Sequence, residues 1–421
     1  MFLQTILLAL VRSGLAFVGV GGEAPLIDDA QLEAAGMYRF WQAKLPLMSN
    51  DSVVAGYLVD DALYVTTDRG GFFTLAAGEG LIRWAENLTE PDYRIYRPAH
   101  IALTGHPDAV VIPTTTFVAF FDRFSGTLLR KFRPPFPTAG PAIGYGNTLL
   151  MGGIDGRFHS LQLDDPIARD PIVKWTVEAG GAVTSAPVLF AGDMLAFASQ
   201  GGTAYACRAD DKFLAWTFRA DKPILGDLAV DDTGVYVAGT DRSLYKIDRM
   251  TGRRLWRLRM PRPLNVGPVV TAETVFQFCP DSGLSAIDPD TGRERWRHVD
   301  GRSLIARAGT GDFLFTDKGR IDLVDHASGA IKHSIAAPDV RAAVLNSRDD
   351  ALYLLGGDGR VLCARLDTVP YLRRQMVRAA QERLNKAPGD DDLVARPNAK
   401  KPTSKDALAK DPLRSRRDFK P

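Results

Sequence analysis

The spacing of the tryptophans constrains this chain more than any other feature of its sequence. Successive tryptophans are separated by 43, 91, 41, 40 and 40 residues, and 91 is close to twice the other gaps. A glycine stands four residues before three of them, at Gly80, Gly252 and Gly292. A period of about 40 residues indicates a protein built from structural repeats. The tryptophans that define it are Trp41, Trp84, Trp175, Trp216, Trp256 and Trp296.

The most complete copy of the repeat runs from Ala286 to Trp296 (AIDPDTGRERW), and KIDRMTGRRLW, ending at Trp256, is its neighbour. Asp followed by Thr or Ser and then Gly predicts a tight turn between two strands. The carboxylate accepts backbone N–H groups and the glycine adopts a positive φ. The tryptophan then begins the next strand, where we expect it to pack against the adjacent repeat. We therefore assign a structural docking role to the six tryptophans and to Asp248, Gly252, Asp288 and Gly292.

Each turn is preceded by further β-rich segments, for example residues 269–271, 274–278 and 284–287. Four short strands in about 40 residues are typical of a propeller blade. The pattern A-x-D-x-x-T-G-x-x-x-W resembles the tryptophan-docking motif of pyrroloquinoline-quinone-like (PQQ-like) propellers. It is complete at Ala286–Trp296 and partial in at least five other copies. The resemblance covers roughly residues 35–366 and implies an all-β propeller of four-stranded antiparallel blades.

The number of blades follows from the two ends of the repeat region. Outer strands can be placed at positions 41, 84, 130, 175, 216, 256, 296 and 333. The last repeat, Val340 to Leu366, lacks the turn and the tryptophan, whereas the first outer strand, Tyr38 to Leu45, has no inner strands before it. We therefore predict eight blades, with the strand of Trp41 completing the last one, so that no sheet edge is left open. Seven blades is the alternative.

The segments outside the repeat have different compositions. Residues 1–24 are apolar, which favours an exported, periplasmic or cell-envelope protein, although Arg12 interrupts the run; a cytoplasmic chain is the alternative. Residues 369–386 have helical spacing. Residues 387–421 are predicted to form a disordered basic tail, since residues 396–421 carry nine Lys or Arg against three Asp. The formal charge of +2 argues against nucleic acid as a partner and for peripheral membrane contact at most.

The PQQ-like resemblance raises the question of enzymatic activity. Quinone-dependent oxidoreductases of this fold use a stacked quinone, a carboxylate, calcium and commonly a vicinal disulfide, but Cys207, Cys279 and Cys363 are isolated in this sequence. Asp288 and Asp290 are explained by the turn rather than by a calcium loop, which has further ligands. Metal-ligating histidine pairs and nucleophile motifs are absent from the sequence. We therefore predict no catalytic, metal or cofactor site and keep a PQQ-dependent oxidoreductase as the alternative.

Two connections between repeats carry residues typical of protein interfaces. One contains Tyr93, Arg94, Tyr96 and Arg97, and the other runs from Phe132 through Pro134 and Pro135 to Phe136. Aromatic residues and arginine are enriched at interface hot spots. The resemblance extends to the non-catalytic propeller subunit of the outer-membrane β-barrel assembly machinery, although that subunit is a lipoprotein and no cysteine follows the apolar segment here. It implies a non-enzymatic scaffold, a monomeric subunit of a larger complex, that binds protein partners.

Overall fold

The computed structural model describes residues 24–88, 93–164, 170–309 and 311–368. These residues form eight four-stranded antiparallel sheets, the blades of a propeller. We name the strands of each blade a to d, and the a strands of neighbouring blades contact one another, as Val53–Val59 and Val340–Val344 do. The a strands therefore surround the centre of the ring, and the d strands form its rim.

The strands follow one another in the same order in every blade. Blade 1 contains Val53–Val59, Ala62–Thr67, Gly71–Ala76 and Ile82–Asn87; blade 2 contains Ala99–Leu103, His106–Pro113, Val118–Asp122 and Leu128–Phe132. Blade 3 contains Thr138–Tyr145, Thr148–Gly153, Arg157–Gln162 and Ile172–Glu178; blade 4 contains Val188–Phe190, Met194–Ala198, Thr203–Arg208 and Leu214–Arg219. Blade 5 contains Ala229–Val230, Gly234–Gly239, Ser243–Asp248 and Arg254–Arg259; blade 6 contains Val269–Val270, Val275–Cys279, Gly283–Ile287 and Glu294–His298. Blade 7 contains Gly301–Ala308, Gly311–Thr316, Arg320–Asp325 and Ile331–Ala336; blade 8 contains Val340–Val344, Ala351–Gly356, Arg360–Leu366 and Met37–Lys44.

Blade 8 is assembled from both ends of the repeat region. Its outer strand, Met37–Lys44, pairs antiparallel with Arg360–Leu366, and Trp41 lies opposite Cys363. The prediction of eight blades closed by the N-terminal strand is therefore confirmed, and the alternative of seven is wrong. The predicted helix at 369–386, the basic tail and most of the apolar N-terminal segment lie outside the described residues.

The repeated turn has the same geometry in blades 5 and 6. The Asp288 carboxylate accepts hydrogen bonds from the backbone amide and the hydroxyl of Thr291, both at 2.9 Å, and Asp248 contacts Thr251 in the same way. Gly252 has φ of +70° and Gly292 has φ of +69°. Two strands are thus joined by a turn whose polar groups are satisfied within the turn itself.

Each of these glycines receives the tryptophan of the preceding blade. A Cβ built on Gly292 would lie 2.6 Å from Cδ2 of Trp256, and Trp216 lies equally close to Gly252. The Trp256 indole N–H also donates to the carbonyl of Pro289 at 2.9 Å. The same contacts join Trp41 to Gly80, Trp84 to Gly126, and Trp296 to Gly329. The tryptophans therefore lie at the seams between blades.

Three seams depart from this arrangement. At the seam of blades 2 and 3, Arg130 replaces the tryptophan and donates to the Leu163 carbonyl, the position that indoles contact elsewhere. Trp175 packs in the core between blades 3 and 4, where the receiving turn has no glycine. At the seam of blades 7 and 8, the core is completed by Leu26, Ile27 and Leu32, which precede the first strand.

The segment at this last seam contains one helix, α1 (Asp29–Ala34), capped at its N-terminus by the Asp28 side chain. Gln31 accepts a hydrogen bond at 2.7 Å from the backbone amide of Ala336, at the edge of blade 7. In the part of the chain described here, no helix is both long and apolar enough to span a membrane.

Candidate protein-binding surface

The antiparallel order of the strands gives the ring two chemically different faces. The connections from strand d to the next strand a lie on the same side as the b-to-c turns, and we call this side the connection face. The a-to-b and c-to-d turns form the opposite side, the turn face. The c-to-d turns repeat one sequence pattern, whereas the connections differ from blade to blade. Variable loops on a regular scaffold commonly carry binding functions.

The connection between blades 1 and 2 presents the first predicted segment. Its backbone is paired with the b-to-c turn of blade 2: the Tyr96 amide donates to the Pro113 carbonyl at 2.9 Å, and the Thr115 amide donates to Arg94 at 3.1 Å. Tyr93 is 49% exposed, Arg94 and Arg97 are exposed, and Tyr96 is half-buried. Partial burial raises the pKa of the Tyr96 hydroxyl above its ordinary value. The loop therefore holds exposed aromatic and cationic groups on a fixed backbone.

The second predicted segment does not present its aromatic residues to a partner. Phe132 is the last residue of the outer strand of blade 2 and is buried. Phe136 is also buried, and its ring stacks on His159 of blade 3 with centroids 3.5 Å apart. These residues are removed from the candidate surface, because they complete the packing between blades 2 and 3.

The connection face carries further exposed apolar side chains that the sequence analysis did not select. They are Ile154 in the b-to-c turn of blade 3, and Leu225, Val266 and Val299 in connections, the last being 74% exposed. Three of them stand beside a glycine: Ile154 follows Gly153, Leu225 precedes Gly226, and Val266 precedes Gly267. An aliphatic residue beside glycine in a loop is the sequence signal that would have identified these positions.

Four of the six histidines each contact a nearby aspartate in the described part of the chain, and they lie in different blades rather than in one reactive centre. His100 contacts Asp60 at 2.6 Å through Nδ1 and the Tyr64 hydroxyl at 2.8 Å through Nε2. Burial lowers the pKa of His100 despite its contact with Asp60, and burial also raises the pKa of Tyr64 well above its ordinary value. Since Tyr64 is fully buried, its hydroxyl is inaccessible to a substrate, and the chain of hydrogen bonds links blades 1 and 2.

Other pairs lie within or between the remaining blades. His159 contacts Asp155, His298 contacts Asp322, and His326 contacts Asp312. Over the described ranges, no group of three or more His, Cys, Asp or Glu side chains is placed to hold a metal ion. The three cysteines are free and buried, and burial raises the pKa of Cys207 and of Cys363 to about 12, which keeps both thiols protonated at neutral pH.

Comparison with known proteins gives a match at the level of the repeat sequence. The family model described as outer membrane protein assembly factor BamB matches residues 172–302, from the outer strand of blade 3 to the start of blade 7. The curated BamB of Shewanella oneidensis is 24% identical over 200 residues, which are 44% of this chain and 49% of that protein. The chain thus spans about half the length of the curated relative that it matches.

Solved structures match over most of the ring. BamB from Moraxella catarrhalis has a TM-score of 0.63 at 16% identity and covers 80% of this chain and 99% of its own. Saccharomyces cerevisiae Sqt1 has a TM-score of 0.60 at 11% identity, covering 74% of this chain and 95% of its own. The computationally designed Ika8 protein has a TM-score of 0.58 at 14% identity and covers 76% of this chain and 98% of its own. At these identities the structural matches show the fold alone. The chain is therefore an eight-bladed β-propeller whose sequence over residues 172–302 is similar to that of the outer membrane protein assembly factor BamB.

Proposed function

We propose that this chain is a non-catalytic scaffold of the cell envelope that binds a protein partner through its connection face, in the manner of an outer-membrane protein assembly factor. The observation that carries the proposal is the loop of Tyr93, Arg94 and Arg97, exposed on a backbone held by blade 2. A fixed loop loses little conformational entropy on binding, and its residues are of the types that dominate interface energetics.

The sequence relationship to BamB supports the same proposal. The matched region, residues 172–302, includes blades 4 to 6 and three connections with exposed aliphatic residues, Leu225, Val266 and Val299. The name of the related protein refers to outer-membrane protein assembly. The apolar stretches within residues 1–24 support an exported, envelope location, which is the location that the proposed role requires.

Site-specific photo-crosslinking in the native host tests the proposed surface. A photoreactive phenylalanine analogue replaces Tyr93 in the full chain, and the same analogue replaces Phe213 on the turn face as the matched control; both positions are exposed. We expect Tyr93 to give a covalent adduct with a protein of the outer-membrane assembly machinery and Phe213 to give none. Absence of an adduct at Tyr93, or equal adducts at both positions, would contradict the proposal.

Reconstitution with pyrroloquinoline quinone and Ca²⁺ distinguishes the scaffold from the competing enzyme class. The purified chain is mixed with both, and its absorbance spectrum and alcohol-dependent dye reduction are recorded. The scaffold proposal predicts no turnover above a sample of the chain without quinone. Clear turnover would overturn it in favour of a quinone-dependent oxidoreductase.

A further inference from the structure

The rim of blade 5 carries a concentration of positive charge that the balanced composition of the chain conceals. Residues 249–262 contain six arginines and no Asp or Glu, whereas the whole chain has a formal charge of only +2. This run comprises the c-to-d turn of blade 5, its outer strand Arg254–Arg259 and the first residues of the following connection.

Half of these arginines have carboxylate partners. Arg249 contacts Asp232 at 3.8 Å, Arg257 contacts Asp221 at 3.5 Å, and Arg262 contacts Asp281 at 3.1 Å. The other three, Arg253, Arg254 and Arg259, are exposed, and within the described residues no carboxylate oxygen lies within 4 Å of their guanidinium nitrogens.

Apolar side chains and a free strand edge accompany these guanidinium groups. Met250 is 55% exposed and Leu255 is 50% exposed. Strand Arg254–Arg259 is the terminal strand of its sheet, and no described strand pairs with its outer side. Six residues of an edge strand offer about 20 Å of backbone N–H and C=O groups to an incoming segment.

Protection of the edge against aggregation is an insufficient explanation for this charge. Charged residues on an edge strand do prevent pairing between molecules, but a few suffice. The outer strand of blade 7, Ile331–Ala336, has one lysine, and that of blade 4, Leu214–Arg219, has one arginine. Blade 6 carries arginines in its outer strand, but Arg295 and Arg297 are paired with Asp288 and Glu294.

We infer that the outer edge of blade 5 binds an extended acidic polypeptide segment, which adds to the blade as a fifth strand. Carboxylates of the segment pair with Arg253, Arg254 and Arg259, and its apolar residues cover Leu255 and Met250. Backbone hydrogen bonds supply affinity in strand addition, and the side chains at alternate positions supply selectivity. The inference goes beyond the proposed function, because this surface lies on the rim rather than on the connection face.

Fluorescence anisotropy of the full chain with labelled peptides tests the inference. The probe is a nine-residue peptide of alternating Glu and Val; a second peptide has Lys in place of Glu, and a third is the acidic peptide N-methylated at alternate residues. The variant is Arg253→Glu, Arg254→Glu and Arg259→Glu. The control variant is Lys174→Glu, Lys212→Glu and Arg341→Glu, three exposed cations of other blades, so both variants lower the net charge equally.

We expect the acidic peptide to bind the unmodified chain and the control variant alike, and to bind the blade 5 variant about tenfold or more weakly. The lysine peptide and the N-methylated peptide should not bind measurably. Equal binding of the N-methylated peptide would overturn strand addition. The chain is also tested for co-sedimentation with phosphatidylglycerol vesicles. If no peptide binds, the acidic-polypeptide inference is overturned, whether or not the chain co-sediments with the vesicles. Thermal unfolding of both variants checks that the blades remain intact.

Discussion

At the scale of single residues, each regular seam needs a glycine for two separate reasons. Gly292 has φ of +69°, a conformation that costs an L-residue about 1 kcal/mol or more. Its missing side chain also provides the space that the Trp256 ring occupies, since a Cβ would lie 2.6 Å from Cδ2. The turn motif therefore fixes both the chain reversal and the contact with the preceding blade.

These two reasons can be separated by comparing two glycine variants. Gly105 has φ of +79°, but a Cβ there would have no neighbour within 4 Å. We expect Gly105→Ala to lower the free energy of unfolding by about 1 kcal/mol and Gly292→Ala by about 1–3 kcal/mol more, because the indole must move. Urea unfolding measures both, and equal losses would show that the seam tolerates the added methyl group.

A second residue-scale feature is the buried lysine at the seam of blades 5 and 6. Lys246 is 2% exposed, and its Nζ lies 3.0 Å from Asp231 Oδ2 and 3.0 Å from the Pro289 carbonyl. Partial burial raises the pKa of Asp231, but hydrogen bonds from Tyr236, Thr233 and Lys246 outweigh it and hold that pKa at about 2. The carboxylate therefore neutralises the buried ammonium group.

Replacing Asp231 tests this pairing. Asp231→Asn leaves the Lys246 charge uncompensated, and we expect a loss of about 3 kcal/mol at pH 7, which Lys246→Met added to the same chain should largely restore. Since the folded-state pKa of Asp231 is depressed, its stabilisation is present above the unfolded-state pKa near 4 and is lost as pH falls towards 2. In denaturant titrations at several pH values, the free energy of unfolding of the Asn variant should lack the decrease between about pH 4 and 2 that Asp231 causes. The same pH profile in the variant and the unmodified chain would contradict the pairing of Asp231 with Lys246.

At the scale of elements, the seam of blades 7 and 8 is completed by the segment before the first strand. His333 stands in the tryptophan position, and blade 8 has no c-to-d turn to receive it, because its outer strand comes from the other end of the chain. Leu26, Ile27 and Leu32 pack there against Ile335 and Leu362. Helix α1 is therefore part of the propeller core rather than a linker.

A truncation within α1 tests that role. Leu32 is fully buried, so Leu32→Ala should lower the free energy of unfolding by about 2–5 kcal/mol. The neighbouring Glu33 is exposed, and Glu33→Ala should change the free energy of unfolding by less than about 0.5 kcal/mol. Thermal unfolding in the same buffer compares the two, and a small effect of Leu32→Ala would mean that the seam closes without the helix.

The sequence predicts those elements whose stabilising interactions join residues that are close together in the chain. Asp288, Thr291 and Gly292 form their turn from neighbours in the chain, so the repeat could be read directly. Helix α1 was not predicted, because its role depends on blades more than 300 residues away. The same limit separates Tyr93 from Phe136: both are aromatic loop residues beside proline-rich sequence, and only the fold shows that Phe136 stacks on His159.

At the scale of the whole molecule, the ring is closed by one strand that links its two ends. Strand Met37–Lys44 pairs with Arg360–Leu366 and places Trp41 on Gly80 of blade 1. This strand covers the edge of Arg360–Leu366 and provides the contact between blades 8 and 1, so the ring of blades is continuous. The scaffold role that we propose requires the connection loops to be held in fixed positions in this way.

Thermal unfolding of two N-terminal deletions tests this closure most directly. A chain beginning at Ala24 keeps every contact described here, and we expect its melting temperature to match that of the full chain. A chain beginning at Leu47, without strand Met37–Lys44 and helix α1, should melt about 10 °C or more below the full chain, with a broadened transition. Equal melting temperatures for the two deletions would contradict a ring that depends on its N-terminal strand.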